Sequence, residues 1–166
     1  MVWEFTLYSS MLIFTGVVSA GIALLLWQKR SQRRAQLLGL AMLAQAEWAF
    51  MAGLAASSIL LEQRLLFTKL SYVGIYFCMP LFFFFVLHYC SYDKYLNRRI
   101  VPGFFVIPLV MIGLAATNET HHLIWAGFVP SQNVGLNLVV YLRGPLYWLG
   151  VVYIYTILCT TTLLLA

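Results

Sequence analysis

Few residues in this chain have side chains suited to chemistry, and most sit at the ends of long apolar runs. Glu47 is the exception, an acidic side chain set deep inside such a run. A carboxylate there is costly: insertion scales put Asp at roughly 2.5–3.5 kcal/mol at a helix centre, and Glu should be comparable. Glu47 is therefore expected to be protonated, or to face a partner or a cavity. Two readings fit: a neutral, hydrogen-bonded acid that glues helices together, or a carboxyl that lines a ligand cavity or acts as a switch. The second concentration of polar groups is Thr117-Asn118-Glu119-Thr120-His121-His122-Leu123-Ile124-Trp125. It joins titratable, amide and aromatic groups where an apolar run meets water.

Catalysis and metal binding are not expected from these groups. His121 and His122 are adjacent, so on any regular element they point different ways. Zinc needs further ligands at suitable spacing, and Glu119 is the only nearby acid. His88 belongs to the opposite end of the molecule, which argues against a haem held by two histidines. Lys69 is badly placed for a retinal Schiff base. No glycine-rich phosphate loop or nucleophile elbow is present. Asn118-Glu119-Thr120 matches a glycosylation sequon, read here as accidental. Cys78, Cys90 and Cys159 are odd in number and lie within or beside apolar runs, so they read as small hydrophobes rather than a disulfide framework. No catalytic residue, metal or cofactor is expected.

Composition says what positions these residues. The 166-residue chain is 63% hydrophobic and 9% charged, against about 25% charged for an average soluble domain. Its mean hydropathy is +0.88. So few charges cannot cover a soluble surface, and the fold class expected is an all-α membrane protein. Five spans are expected, over about 7–27, 35–59, 65–89, 100–116 and 145–166, forming one transmembrane helical bundle. Gly16, Ser19, Ala20 and Gly21 give the first span a small-residue surface. Ala49, Gly53 and Ala56 do the same for the second, with Glu47 nearly opposite. Pro80 and Pro108 should bend the third and fourth spans, and Pro102 suits a first turn. The long connection 117–144 holds two short apolar runs, 123–128 and 136–141, around a turn over 130–135. It reads as a β-hairpin lying over the bundle.

The net charge of +5 reads as membrane orientation rather than nucleic-acid binding. With the N-terminus outside, the inner loops 28–34 and 91–99 hold seven basic residues: Lys29, Arg30, Arg33, Arg34, Lys94, Arg98 and Arg99. The outer segments hold three: Arg64, Lys69 and Arg143. That asymmetry agrees with the positive-inside rule. Loop 118–144 is then external and the C-terminus cytoplasmic. No polar residues follow Leu163-Leu164-Leu165-Ala166, so a C-terminally truncated single sensor domain over 1–166 is expected.

The chain resembles the N-terminal seven-transmembrane sensor region of bacterial histidine kinases. The residues that carry the resemblance are Glu47-Trp48, Lys69-Leu70-Ser71-Tyr72 with Pro80, and His88-Tyr89. Thr117-Asn118 with His121-His122-Leu123 and Trp125, and Gly144-Pro145 with Trp148 and Tyr153, complete the set. The resemblance implies seven spans and a cytoplasmic output module. Five spans are read here, with no output module, so the chain itself is not expected to be an enzyme.

The function expected is signal input. A small molecule would bind near the outer half of the bundle, under loop 117–144, and favour one packing of the third and fourth spans over another. The ligand-binding or switch candidates are Tyr72, Tyr76, Asn118, His121, Trp148 and Tyr155, together with Glu47. Tyr76 and Tyr155 fall at the depth of Glu47, which predicts a Glu–Tyr cluster. The expected partners are the lipid bilayer of a bacterial cytoplasmic membrane, an unidentified small-molecule ligand, a downstream cytoplasmic signalling domain and, as an option, a second copy in a homodimer. Nucleic acid is not among them. A small transporter or channel component with Glu47 in the path is the alternative, and a purely structural subunit a third reading.

Overall fold

The computed structural model describes residues 3–92, 94, 97, 99–130 and 139–166. Asp93, Arg98 and nearly all of the turn expected over 130–135 lie outside the described residues. The helices are α1 (Leu7–Trp27), α2 (Arg33–Ser57), α3 (Leu61–Tyr89), α4 (Val101–Ala116), the single turn α5 (Asn118–His121) and α6 (Tyr147–Leu165). Between α5 and α6, strands β1 (Trp125–Pro130) and β2 (Val139–Arg143) pair antiparallel, with Phe128 opposite Tyr141.

Four helices, α1, α2, α3 and α6, are long and apolar enough to cross a membrane. The fifth expected span is shorter than that. α4 has 16 residues, roughly 24 Å of helix against a hydrocarbon core of about 30 Å. It ends where the Thr117 hydroxyl turns back to the Gly113 carbonyl at 2.9 Å.

α1 begins in a reciprocal cap. The Ser9 N–H donates to Thr6 Oγ1 at 3.2 Å, and the Thr6 N–H donates to Ser9 Oγ at 2.9 Å. Ser9, Gly16, Ser19 and Ala23 are buried on one face of α1; Gly21, expected there, faces open space. α2 packs along both α1 and α3. Its buried Gly53 meets Ile13 of α1, while Glu47, on the other side, meets α3 at Gly74. Small residues let backbones approach closely where burial of apolar surface drives little.

α3 starts four residues earlier than the sequence suggested, so Glu62 and Arg64 are helical rather than in a loop. The cause is local. Ser58 and Leu60 are both extended, and the Arg64 N–H opens the helix on the Leu60 carbonyl at 3.0 Å. The Arg64 side chain folds back to the Ser58 carbonyl, so this basic residue does not need an exposed loop.

Two apolar clusters hold the bundle. One lies beneath the hairpin, built from Tyr76, Met111, Ala115, Ile124 and Trp125. The other, toward the far end, joins Phe83, Phe84 and Leu87 to Ile157. There Phe104 meets Phe84 edge-on at 5.4 Å, so part of the Phe-rich run 81–86 packs between helices. Pro80 and Pro108 are buried inside their helices.

Three contacts bring one end of the bundle together. The Glu4 N–H donates to the Ser57 carbonyl at 2.8 Å. Lys69 Nζ donates to the Ala116 carbonyl at 3.1 Å. The Thr68 and Tyr141 hydroxyls lie 2.9 Å apart. The N-terminus and the hairpin therefore share an end, opposite the basic connection between α1 and α2.

Candidate functional site

The polar stretch 117–125 folds into a clamp. Asn118 is 2% exposed. Its Oδ1 accepts from the N–H groups of Ile124 and Trp125, each at 2.9 Å, and its Nδ2 donates to the Trp125 carbonyl at 2.9 Å. One amide thus fixes the entry to β1, using three of its four hydrogen-bonding positions. His121 adds a second tie. Its Nδ1 accepts from the Leu123 N–H at 3.0 Å, and its Nε2 lies 3.1 Å from Thr117 Oγ1. Because Nδ1 accepts, the proton belongs on Nε2, where it is donated to Thr117. His122 takes a left-handed conformation with φ 54° and is exposed. The two histidines diverge, as their adjacency required.

The clamp seats an aromatic roof on α3. Trp125, 3% exposed, meets Tyr72 edge-on at 5.1 Å between ring centroids. Tyr141 of β2 lies 6.0 Å from Trp125 and 5.5 Å from Phe128. Thr68 donates to the Arg64 carbonyl at 2.8 Å, so the Tyr141 hydroxyl must be the donor toward Thr68. Burial pushes the Tyr141 phenol above its ordinary value, against the pull of Thr68 and of the Arg64 charge. At the edge, Lys69 pairs with Glu119 and holds its carboxyl below the usual range.

Two clefts flank the Thr68–Tyr141 contact. One, of about 240 Å³, lies between β2 and helices α1–α3; Tyr8, Ala52, Ala56, Arg64, Thr68, Ser71 and Tyr141 are among its walls. The other, of about 320 Å³, is lined by Thr68, Trp125, Val140, Tyr141, Arg143 and Tyr147. The Arg143 guanidinium sits 5.0 Å from the Tyr147 ring and 5.5 Å from the Trp148 ring.

The predicted Glu–Tyr cluster does not form. Glu47 Oε2 is buried against Gly74, with no hydrogen-bond partner of good geometry. Tyr76 stands two residues beyond Gly74, about 200° around the helix. Its hydroxyl faces Gly150 of α6, where any Cβ would overlap it. Tyr155 is 61% exposed and Trp148 is 53% exposed; both look outward from α6. Matching depth placed these residues at similar levels but did not give their directions. Tyr72 and Tyr76 do share a face, 5.5 Å apart.

Arg64, Thr68, Tyr141 and Gly74 were missed from the sequence. Thr68 stands one turn after Arg64, a readable signal once the start of α3 is known. The partnership with Tyr141, 73 positions away, leaves no local trace. Among the described residues no group of three metal-ligating side chains occurs.

Four helices of this length and hydropathy define the class as a helical membrane protein. The family described as the N-terminal 7TM region of histidine kinase matches residues 11–166, and the chain belongs to it. It is a membrane protein of the sensory region of such kinases, not of their catalytic domain. The resemblance carried by Glu47-Trp48, Asn118 and His121-His122 is thereby borne out. Neither curated proteins nor solved structures give a match.

Proposed function

We propose that this chain is the signal-input domain of a histidine kinase-like or related signalling protein, and that it takes a small ligand beneath the hairpin. In this reading α4 crosses the membrane as a fifth span. The N-terminus and residues 118–144 are external, and the chain continues into a cytoplasmic output module. The observation that supports it best is the pair of clefts either side of Thr68–Tyr141. There a two-stranded lid meets helices that run to the other side. A ligand that prefers one seating of the lid over another shifts the packing of α3 against α4 and α6, and only that differential affinity can move the output.

Within this reading Tyr72 and Tyr76 form the aromatic floor, while Asn118 and His121 keep the lid in shape. Glu47 acts as a wedge at Gly74 that registers relative movement of α2 and α3. Trp148 and Tyr155 meet lipid or a second copy. The test is autophosphorylation of the intact kinase reconstituted in vesicles. Trp125→Ala, which unseats the roof, should change basal output. Unchanged output from a folded variant would reject the reading.

The buried Glu47 Oε2 without a partner favours the transporter or channel component as the second reading. Glu47-dependent uptake into proteoliposomes would establish it.

A further inference from the structure

We infer that the cleft between β2 and helices α1–α3 is a binding site for a small carboxylate with an apolar body, and that Arg64 is its anchor. This rests on the hairpin end being the input site, and names the chemistry that end would recognise.

Arg64 is 4% exposed and lines the cleft. Its Nε and Nη2 both donate to the Ser58 carbonyl, Nε at 3.2 Å. That is a neutral partner for a full charge. No carboxylate pairs with Arg64 among the described residues. Glu4 and Glu62 are exposed, Glu47 is held at Gly74 on the far side of α2 from α1, and Glu119 pairs with Lys69. A buried charge without a counter-charge is expensive, several kcal/mol per ion even after relaxation. A bound anion would supply what the chain withholds.

The geometry selects a carboxylate. With Ser58 taking Nε–H and one hydrogen of Nη2, the second hydrogen of Nη2 and both of Nη1 remain. The Nη1–Nη2 edge is the fork that meets a planar carboxylate in two parallel bonds. Beside the exposed Tyr8 hydroxyl at the cleft, three further donors of the lining are already engaged. Thr68 donates to the Arg64 carbonyl at 2.8 Å, Ser71 to the Thr68 carbonyl at 2.7 Å, and Tyr141 to Thr68. Ala52, Ala55 and Ala56 of α2 and Val139 of β2 add apolar surface to the lining. At about 240 Å³ the cleft is below the roughly 300–1,000 Å³ that drug-sized ligands occupy. It therefore fits a compact molecule with a short hydrocarbon body.

The experiment uses the purified 166-residue chain in phosphatidylcholine nanodiscs, with hexanoate as probe and tryptophan fluorescence and calorimetry as readouts. Hexanoate should saturate, while hexanol and hexylamine should not. Arg64→Gln should weaken binding about tenfold or more, the effect of losing charge-assisted bonds. Ala52→Leu adds bulk to the cleft while keeping Arg64 and should weaken binding comparably, so the test survives if Arg64→Gln fails to fold. Non-saturating hexanoate, or wild-type affinity in the folded variants, overturns the site. Arg64-dependent capture of phosphatidylglycerol in place of hexanoate overturns it too, since the occupant is then a lipid phosphate. Arg64-dependent hexanoate binding that leaves kinase output unchanged would support the carboxylate site and reject the input role. A Trp125→Ala effect on output without hexanoate binding would do the reverse.

Discussion

The Tyr141 hydroxyl donates to Thr68 Oγ1 at 2.9 Å, tying the second strand of the hairpin to the third helix. Both residues line both clefts, so this one bond is the partition between them. Tyr141→Phe should cost about 1 kcal/mol, read as lower thermal stability in detergent. Thr68→Val in the same chain should add less than its separate cost, because the two changes remove one bond. Full additivity would mean that the contact contributes nothing.

Asn118 should be the least replaceable polar residue of the lid. Asn118→Leu leaves the buried Ile124 and Trp125 N–H groups without partners, at about 1–3 kcal/mol each. Asn118→Asp keeps both accepted bonds and loses the donor to the Trp125 carbonyl. Thermal unfolding should rank Asn118→Leu below the wild type by a wide margin. A change of a degree or so would show that the clamp is dispensable.

Glycines divide sharply by location. A Cβ at Gly74 would collide with Glu47 Oε2 and with the Ala44 and Trp48 backbone, whereas Gly113 has nothing within 4 Å. Gly74→Ala should therefore cost about 1–3 kcal/mol by overpacking. Gly113→Ala should be neutral, or stabilising by up to about 1 kcal/mol from helix propensity. Melting curves of the two variants decide this; similar values would mean α2 and α3 are looser at Glu47 than the structure has them.

Glu119 sets a dependence on acid. The Lys69 contact lowers its carboxyl below the ordinary value of 4.5. The stabilisation is thus complete above that value and is lost as pH falls through the lower, folded value. Glu119 is exposed, so the effect is no more than about 1 kcal/mol. Stability profiles between neutral and acidic pH should lose this component in Glu119→Gln. An identical profile would assign the acid response elsewhere.

Much of this architecture was legible in the chain. Apolar length alone located five helices, four of them long enough to cross a membrane and the fifth, α4, shorter than expected, because a backbone in hydrocarbon must satisfy itself as helix. The small residues Ala49 and Gly53 announced a close helix contact, though not that α1 would be the neighbour. The run Thr117–Trp125 announced a polar lid, though not that Asn118 would spend its amide within that lid. Side-chain direction was the weak point. Tyr76 and Tyr155 match Glu47 in depth, yet one turns to Gly150 and the other outward. Arg64 was hidden for a different reason: a basic residue beside Glu62 reads as a solvated loop until the Ser58 carbonyl is seen to take its guanidinium.

The most direct measurement is labelling of single cysteines in intact cells with a membrane-impermeant maleimide. It uses a background in which Cys78, Cys90 and Cys159 are replaced, with Glu119→Cys beside the lid and Arg33→Cys at the start of α2. If the lid is the receiving surface, Glu119→Cys reacts in intact cells and Arg33→Cys only after permeabilisation. The reverse pattern would put the lid in the cytosol and contradict signal input at that end.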